Sequence, residues 1–144
     1  MSNTVKAILD LKGRNVITAS PNMTVAEAAK IISEKRIGAI VIVGMENRIS
    51  GIFTERDVVH AIAKSGKDCL DQPVGSVMTS KVYRCNEDTT VNELMELMTR
   101  RRFRHVPVEA NGKLAGIVSI GDVVKTRIAQ VEQEAEQIKA YIAG

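Results

Sequence analysis

Aromatic residues are scarce in this chain: they make up 3% of its 144 residues, and tryptophan is absent. Single-strand nucleic-acid binders commonly stack bases on aromatic side chains and carry a dense basic stripe. The net charge of +3 is too mild to indicate such a surface. Because 44% of the residues are hydrophobic, Ala, Val and Ile must fill the core. The composition therefore predicts closely packed helices and strands in one ordinary domain or two very small ones.

Cysteines, histidines and long apolar runs are also few. Cys69 and Cys85 form neither a metal-spaced set nor a disulfide framework. His60 and His105 lie in different parts of the chain, whereas a zinc site needs about four converging ligands. No apolar run approaches the roughly 20 residues that span a bilayer, and residues 1–6 lack a signal-peptide pattern. We expect a cytoplasmic protein with no metal and no membrane contact.

One pattern of seven residues occurs twice, at residues 51–57 and 116–122. Each copy runs from a glycine through apolar residues to a hydroxyl, Thr54 or Ser119, with an aspartate three positions later. The apolar residues predict the end of a buried strand, and those that follow the motif predict a helix. A hydroxyl and a carboxylate at this spacing can form a capping box. They can also bind a nucleotide, because a helix N-terminus attracts phosphate and a carboxylate accepts hydrogen bonds from ribose.

The predicted elements recur in the same order along the chain. Thr24 and Thr90 each open a helix with a capping-box pattern, 66 residues apart, and the two motif hydroxyls lie 65 residues apart. The pattern predicts strands at 15–18, 39–43, 49–53, 82–84, 105–109 and 114–118, and helices at 4–12, 24–35, 54–64, 90–102 and beyond the second motif. We place the first repeat with its N-terminal helix at 1–68, a linker at 69–81, the second repeat at 82–130 and a helical extension at 131–144.

The C-terminal helix carries an apolar seam with heptad spacing. Its members alternate four and three residues apart: Val124, Ile128, Val131, Ala135, Ile138 and Ile142. The spacing favours contact with a second subunit, hence a homodimer. The alternative is a terminal helix that packs on its own domain.

A β-α-β-β-α unit present twice, with the motif at each strand-to-helix junction, resembles a tandem pair of CBS domains (a Bateman module). The resemblance spans about residues 5 to 130 and is also carried by residues 18–21 and 104–108. Small stand-alone bacterial CBS-pair proteins show similar motifs. The resemblance implies an α/β (α+β) fold in which two repeats pack through their sheets about a pseudo-twofold axis. It also implies two clefts that hold adenosine ligands, with AMP the first candidate and ADP, ATP, NAD(H) or S-adenosylmethionine the others.

The resemblance also implies which residues bind the ligand. The two aspartates would hold ribose hydroxyls, the two motif hydroxyls would contact phosphate, the first strand of each repeat would line an adenine pocket, and the central strands would supply an apolar wall. The residues are Thr18, Ala19, Ser20, Ala39, Ile40, Thr54, Arg56, Asp57, Arg84, Cys85, Asn86, Arg104, His105, Val106, Pro107, Ser119 and Asp122.

The two clefts are not expected to be equivalent. Arg56 of the first motif is replaced by Gly121 in the second, and residues 38–39 correspond to Arg104 and His105. We expect one cleft to bind more tightly, with Arg104 and His105 as phosphate partners. The implied function is a non-catalytic regulatory module that acts on an unknown protein target. The alternatives are a small nucleotide-processing enzyme, for which no catalytic set is visible, and a nucleic-acid-binding protein, suggested by the arginines at 100–102.

Overall fold

A computed structural model describes residues 3–143. Met1, Ser2 and Gly144, and with them the outer ends of the predicted first and last segments, lie outside the described residues. The elements are α1 (Val5–Lys12), β1 (Thr18–Ala19), α2 (Val25–Lys35), β2 (Ala39–Val43), β3 (Ile49–Thr54), α3 (Glu55–Ser65), α4 (Val91–Arg101), β4 (His105–Ala110), β5 (Lys113–Ser119) and α5 (Ile120–Ala143). This mixed α+β architecture, with two small sheets and a long C-terminal helix, confirms the predicted fold class.

The first repeat is built on the sheet β1-β2-β3. Strand β2 pairs in parallel with β1 and antiparallel with β3, where Ala39 lies opposite Thr54. Four of the five residues of β2 are buried, as its continuous apolar sequence predicts for a strand covered on both faces. Thr24 caps α2 by accepting a hydrogen bond from the Glu27 amide, but the return bond of the predicted capping box does not form.

The second repeat has a two-stranded sheet, in which β4 and β5 pair antiparallel. The strand predicted at 82–84 was wrong, because only an isolated parallel bridge between Cys85 and Val108 forms there. Val82 and Tyr83 line a cleft instead of extending the sheet. In the first repeat the predicted strand at 15–18 is reduced and displaced to Thr18–Ala19. At Thr90 the predicted capping box is complete.

Helix α1 packs on the second repeat, although it precedes the first. Val5, Ile8 and Leu9 are buried in the core that contains α4, β4 and β5. The Val5 amide donates to the Thr89 carbonyl at 2.9 Å, and the Val91 amide donates to the Asn3 carbonyl at 2.8 Å. The N-terminal segment therefore supplies one wall of the second core.

The segment between the repeats supplies a wall of the first core, as the N-terminal segment does for the second. It forms two 3₁₀ turns, Gly66–Asp71 and Val74–Ser76, and buries Cys69 and Val74 in the first core. The Val25 amide donates to the Gln72 carbonyl at 2.9 Å. Most of the predicted linker at 69–81 is thus packed structure rather than a spacer.

Gly51 allows the end of this segment to lie against β3. A Cβ at Gly51 would meet the Thr79 carbonyl oxygen at 2.7 Å and the Met78 sulfur at 2.6 Å. We therefore expect Gly51→Ala to lower the free energy of unfolding by about 1–3 kcal/mol, because backbone must shift to admit the methyl group. Urea unfolding measures this. Gly121→Ala is the control, since its Cβ would meet nothing nearer than Ser119 Oγ at 3.6 Å. Equal stability of the two variants would contradict the close approach.

Helix α5 continues well past the second repeat, with 24 residues of which only Val123 is buried. Much of the predicted seam is exposed on this chain: Val124, Ile128, Val131, Ile138 and Ile142. The start of this helix packs on its own domain, with Val123 in the core of the second repeat, whereas residues 131–143 are exposed. The homodimer stays a prediction. Among residues 3–143, no helix combines the length and the hydropathy that crossing a bilayer requires.

Candidate ligand-binding cleft

A cleft of about 380 Å³ lies between the two repeats, at the junction of β3 and α3. This volume falls in the range of small-molecule pockets. One wall comes from the first motif, and the other from the end of α4 and the start of β4. Its lining residues are Gly38, Ile52, Thr54, Glu55, Arg56, Asp57, Thr79, Lys81, Val82, Tyr83, Arg101, Arg102, Phe103, Arg104 and His105.

The first motif forms a reciprocal capping box at the start of α3. The Thr54 amide donates to Asp57 Oδ2 at 2.9 Å, and the Asp57 amide donates to Thr54 Oγ1 at 3.3 Å. The capping interpretation is therefore confirmed here, but it does not use the whole carboxylate. Asp57 Oδ1 accepts a hydrogen bond from the Thr79 hydroxyl at 3.0 Å, inside the cleft. This oxygen already accepts from a hydroxyl, as it would from a ribose.

The second motif has the same cap and a different third partner. The Ser119 amide donates to Asp122 Oδ2 at 2.9 Å, and the Asp122 amide donates to Ser119 Oγ at 3.1 Å. Lys12 Nζ, at the end of α1, lies 2.6 Å from the same Asp122 oxygen. The two aspartates, equivalent in sequence, are thus unequal: one faces a hydroxyl and the other is in an ion pair.

This ion pair predicts a pH dependence of stability. Burial opposes ionisation of Asp122, but hydrogen bonds from Lys12 and the Ser119 amide outweigh it, so its pKa lies below the ordinary 3.8. A lowered folded-state pKa stabilises the protein fully above the unfolded-state value and loses that contribution as pH falls through the folded one. We expect Lys12→Met to cost about 1 kcal/mol near neutral pH and nothing once the carboxyl is protonated. Urea unfolding of the wild type and Lys12→Met, from neutral pH down to acid pH, measures the difference in their free energies of unfolding. A difference that is as large at acid pH as at neutral pH would contradict the ion pair.

The cleft is strongly cationic. Five basic side chains line it, on both walls: Arg56, Lys81, Arg101, Arg102 and Arg104. Glu55 and Asp57 are its two acidic residues. The guanidinium of Arg101 lies 5.6 Å from the centre of the Tyr83 ring, which in turn lies 5.4 Å from the Phe103 ring. The potential in the cleft therefore favours an anion, beside aromatic and aliphatic surface.

His105 lies at the contact between the repeats. A Cβ added to Gly38 would come within 2.8 Å of the His105 imidazole, so the imidazole packs against the Gly38 backbone and would have to move to admit a side chain there. Burial lowers the pKa of His105, and the positive charges of Lys12 and Arg104 lower it further against the opposing effect of Glu55 and Asp122. The imidazole is therefore neutral at neutral pH and can donate or accept a hydrogen bond.

The structure brings five of the predicted ligand residues into the cleft: Thr54, Arg56, Asp57, Arg104 and His105. It does not bring Arg84, Cys85 and Asn86 there. Arg84 binds Glu109 at 2.7 Å and the Ile49 carbonyl at 3.0 Å, and Asn86 Oδ1 accepts from the Asp88 amide. Burial raises the pKa of the Cys85 thiol to about 12, which makes it unreactive.

The other predicted residues lie away from this cleft. Ala19 and Ile40 are in the first core, and Val106 is in the second. Ala39 and Pro107 are buried in their strands, while Thr18 in β1 and Ser20 directly after it are exposed. Ser119 and Asp122 form the second junction, with Lys12. The predicted apolar wall from the central strands therefore faces the cores more than the cleft.

Sequence reasoning missed several residues of the cleft: Ile52, Thr79, Lys81, Val82, Tyr83, Arg101, Arg102 and Phe103. Phe103 and Arg102 could have been found, because they directly precede Arg104 and His105. Thr79 could not, since no local pattern shows that it pairs with Ile52, through amide-to-carbonyl bonds of 2.9 Å in both directions. Among residues 3–143, no group of three metal-ligating side chains converges.

Comparison with known proteins gives a consistent result. The family model described as "CBS domain" matches residues 7–64 and 74–128. The mitochondrial CBS domain-containing protein CBSX3 of Arabidopsis thaliana is 33% identical, over 99% of this chain and 73% of its own. The crystal structure of a CBS-domain containing protein from Agrobacterium tumefaciens is similar with a TM-score of 0.83 and 51% identity, over 88% of this chain and 95% of that one.

A further solved structure is the CBS domain pair of protein MJ0100 in complex with 5′-methylthioadenosine and S-adenosyl-L-methionine. It is similar to this chain with a TM-score of 0.79 and 27% identity, over 90% of this chain and 99% of that one.

Proposed function

This chain belongs to the CBS-domain family, as a tandem pair, and from that premise we propose that it is a regulatory module which binds an adenosine ligand between its repeats. The observation that carries the proposal is the composition of the cleft. A half-buried aspartate at a helix start, Asp57, faces a cationic wall supplied by the other repeat. Ribose and phosphate need these two kinds of group, close together.

The cleft offers a place for each part of such a ligand. Asp57 accepts from the ribose hydroxyls, with Oδ1 exchanging the Thr79 hydroxyl for one of the ligand's. Arg56 and Arg104 lie beside it to bind phosphate. Ile52, Val82 and the paired rings of Tyr83 and Phe103 supply apolar surface for the base.

The identity of the base rests on a structural relative. The MJ0100 domain pair, which has this fold, is in complex with two adenosine compounds. We therefore assign an adenosine ligand to the cleft, with AMP the simplest candidate and ADP, ATP, NAD(H) or S-adenosylmethionine the others.

The mechanism that follows is differential binding. A ligand held by Asp57 of one repeat and Arg104 of the other stabilises one relative arrangement of the repeats, and a protein target responds to that state. The exposed face of α5 supports a homodimer, in which the arrangement of the repeats is transmitted to a second copy. We place this signalling in the cytoplasm and assign no catalytic step to the protein.

Calorimetric titration of the purified protein with AMP, ATP, NAD, NADH and S-adenosylmethionine tests the proposal, with GMP as the control for the base. We expect saturable binding of at least one adenosine ligand, at one site per chain, because Asp122 at the second junction is paired with Lys12. Absence of saturable binding across the panel, or equal binding of GMP and AMP, would overturn it. Turnover of AMP or NAD would favour the enzymatic alternative, and salt-sensitive RNA binding the nucleic-acid alternative.

A further inference from the structure

We propose that this cleft selects adenosine ligands with at least two phosphates, a nucleoside diphosphate or a larger polyphosphate, over monophosphates, thioethers and sulfonium compounds. This inference rests on the proposed function, since it names the ligand class of the same cleft. The charges that converge on the cleft support it, whichever base the ligand carries.

The basic side chains of the cleft differ from many others in the described part of the chain. There, eight other Lys and Arg side chains form ion pairs within 4.0 Å of a carboxylate, among them Lys12, Arg84 and Arg100. Among residues 3–143, none of the five basic residues that line the cleft is in such a pair: Arg56, Lys81, Arg101, Arg102 and Arg104. Five cations that share one cleft and form no ion pairs repel one another, and an anionic ligand relieves that repulsion.

The number of charges in the cleft indicates how many phosphates are needed to relieve the repulsion among its basic side chains. Against five basic residues the cleft has only Glu55 and Asp57, so three positive charges are left unbalanced. A terminal phosphate carries about two negative charges at neutral pH, and each further phosphoryl group adds about one. A monophosphate therefore leaves the cleft positive, whereas a diphosphate balances it.

The cations are also spread over both walls, which suits a chain of phosphates better than a single one. Arg56 adjoins Asp57 at the start of α3, where the ribose would lie. Arg101 and Arg102 lie on the opposite repeat, at the end of α4. Arg101 is held against the Tyr83 ring, and Arg102 has a left-handed backbone with φ of 60° that ends the helix. Contact with the Tyr83 ring thus holds the Arg101 guanidinium before a ligand arrives, which lowers the ordering cost of binding.

The same charges discriminate against the ligands of the MJ0100 domain pair. S-adenosyl-L-methionine carries a positive sulfonium, which the cationic wall repels, and 5′-methylthioadenosine carries no charge to be recognised. At the second junction this selectivity has no counterpart, because Gly121 stands where the first motif has Arg56.

Calorimetric titrations at one ionic strength test the inference with adenosine, 5′-methylthioadenosine, S-adenosylmethionine, AMP, ADP and ATP. We expect ADP to bind about tenfold more tightly than AMP, since each charge-assisted pair adds roughly that factor. ATP binds at least as tightly as ADP, and S-adenosylmethionine binds most weakly. The affinity for ADP falls as salt is raised, while that for adenosine does not.

Single substitutions test which basic side chains give the cleft its higher affinity for ADP. Arg102→Gln and Arg104→Gln each lower the affinity for ADP about tenfold and leave that for adenosine unchanged. Lys113→Gln, an exposed lysine outside the cleft, is the matched control and changes neither.

Equal affinities for adenosine, AMP and ADP would overturn the inference and leave the proposed function intact. Equal affinities for ADP and GDP would instead overturn the assignment of adenosine and leave the phosphate selectivity intact. Pyrophosphate alone serves as the probe if no nucleoside binds: its binding, lost in Arg104→Gln, would support the anion selectivity, and its failure would overturn that as well.

Discussion

Replacing Asp57 by asparagine lowers the affinity of the cleft for ADP by about a hundredfold, since an NH₂ group replaces the charged oxygen that accepts from the ribose. Asp57 Oδ1 points at the Thr79 hydroxyl, while Oδ2 accepts from the Thr54 amide. An asparagine oxygen can still accept from that amide, so the helix cap largely survives. Its NH₂ group, however, takes the place of Oδ1 and cannot accept a hydrogen bond from a ribose hydroxyl. The variant therefore separates the ligand role of the residue from its capping role. Calorimetric titration measures the affinity, and thermal unfolding without ligand measures the cap.

Asp122→Asn is the matched control for this experiment. Asp122 has the same cap, but its carboxylate is paired with Lys12 outside the cleft of Asp57. We expect this variant to be less stable and to bind ADP like the wild type. If Asp57→Asn also bound ADP like the wild type, the aspartate of the first motif would be only a helix cap.

Replacing Leu9 by alanine lowers the free energy of unfolding by about 2–5 kcal/mol, the usual cost of truncating a buried leucine. Leu9 is fully buried in the core of the second repeat. Its Cδ atoms lie 2.9 Å from the position of a Cβ on Gly116, so the leucine fills the space that this glycine leaves. A loss of this size would show that the N-terminal helix completes a repeat which begins some 70 residues later. Urea unfolding followed by circular dichroism measures it.

Leu11→Ala provides the control within the same helix. The Leu11 side chain is 86% exposed, so its truncation removes the same atoms without opening a cavity. We expect a change within about 0.5 kcal/mol. Equal losses in the two variants would mean that α1 contributes through helix propensity and not through packing on the second repeat.

Local patterns along the chain predicted the elements that depend on neighbouring residues. The apolar run of β2 matches its structural bounds, and α4 begins at the predicted Thr90 cap. Both motifs form the predicted strand-to-helix junctions, because hydroxyl and carboxylate satisfy the backbone locally. These features need no knowledge of distant contacts.

Contacts between distant segments could not be predicted in this way. Nothing near Lys12 indicates that it pairs with Asp122, 110 residues away. Val82 and Tyr83 have the residue types of a strand, but their side chains line the cleft and the predicted strand is lost. For the same reason the residues at 84–86, predicted to line an adenine pocket, differ from those at 81–83, which line the cleft. The cationic wall was foreseen only in part, since Arg101 and Arg102 resemble an ordinary solvated helix end.

¹H–¹⁵N NMR spectra of the full chain, titrated with ADP, test most directly whether an adenosine polyphosphate binds between the first motif and the arginines of the second repeat. We expect saturable shifts of the amides at 54–57, 79–83 and 101–105 together, and we expect these shifts to be absent in Asp57→Asn. Shifts confined to another surface, or no saturable shift at all, would contradict this binding.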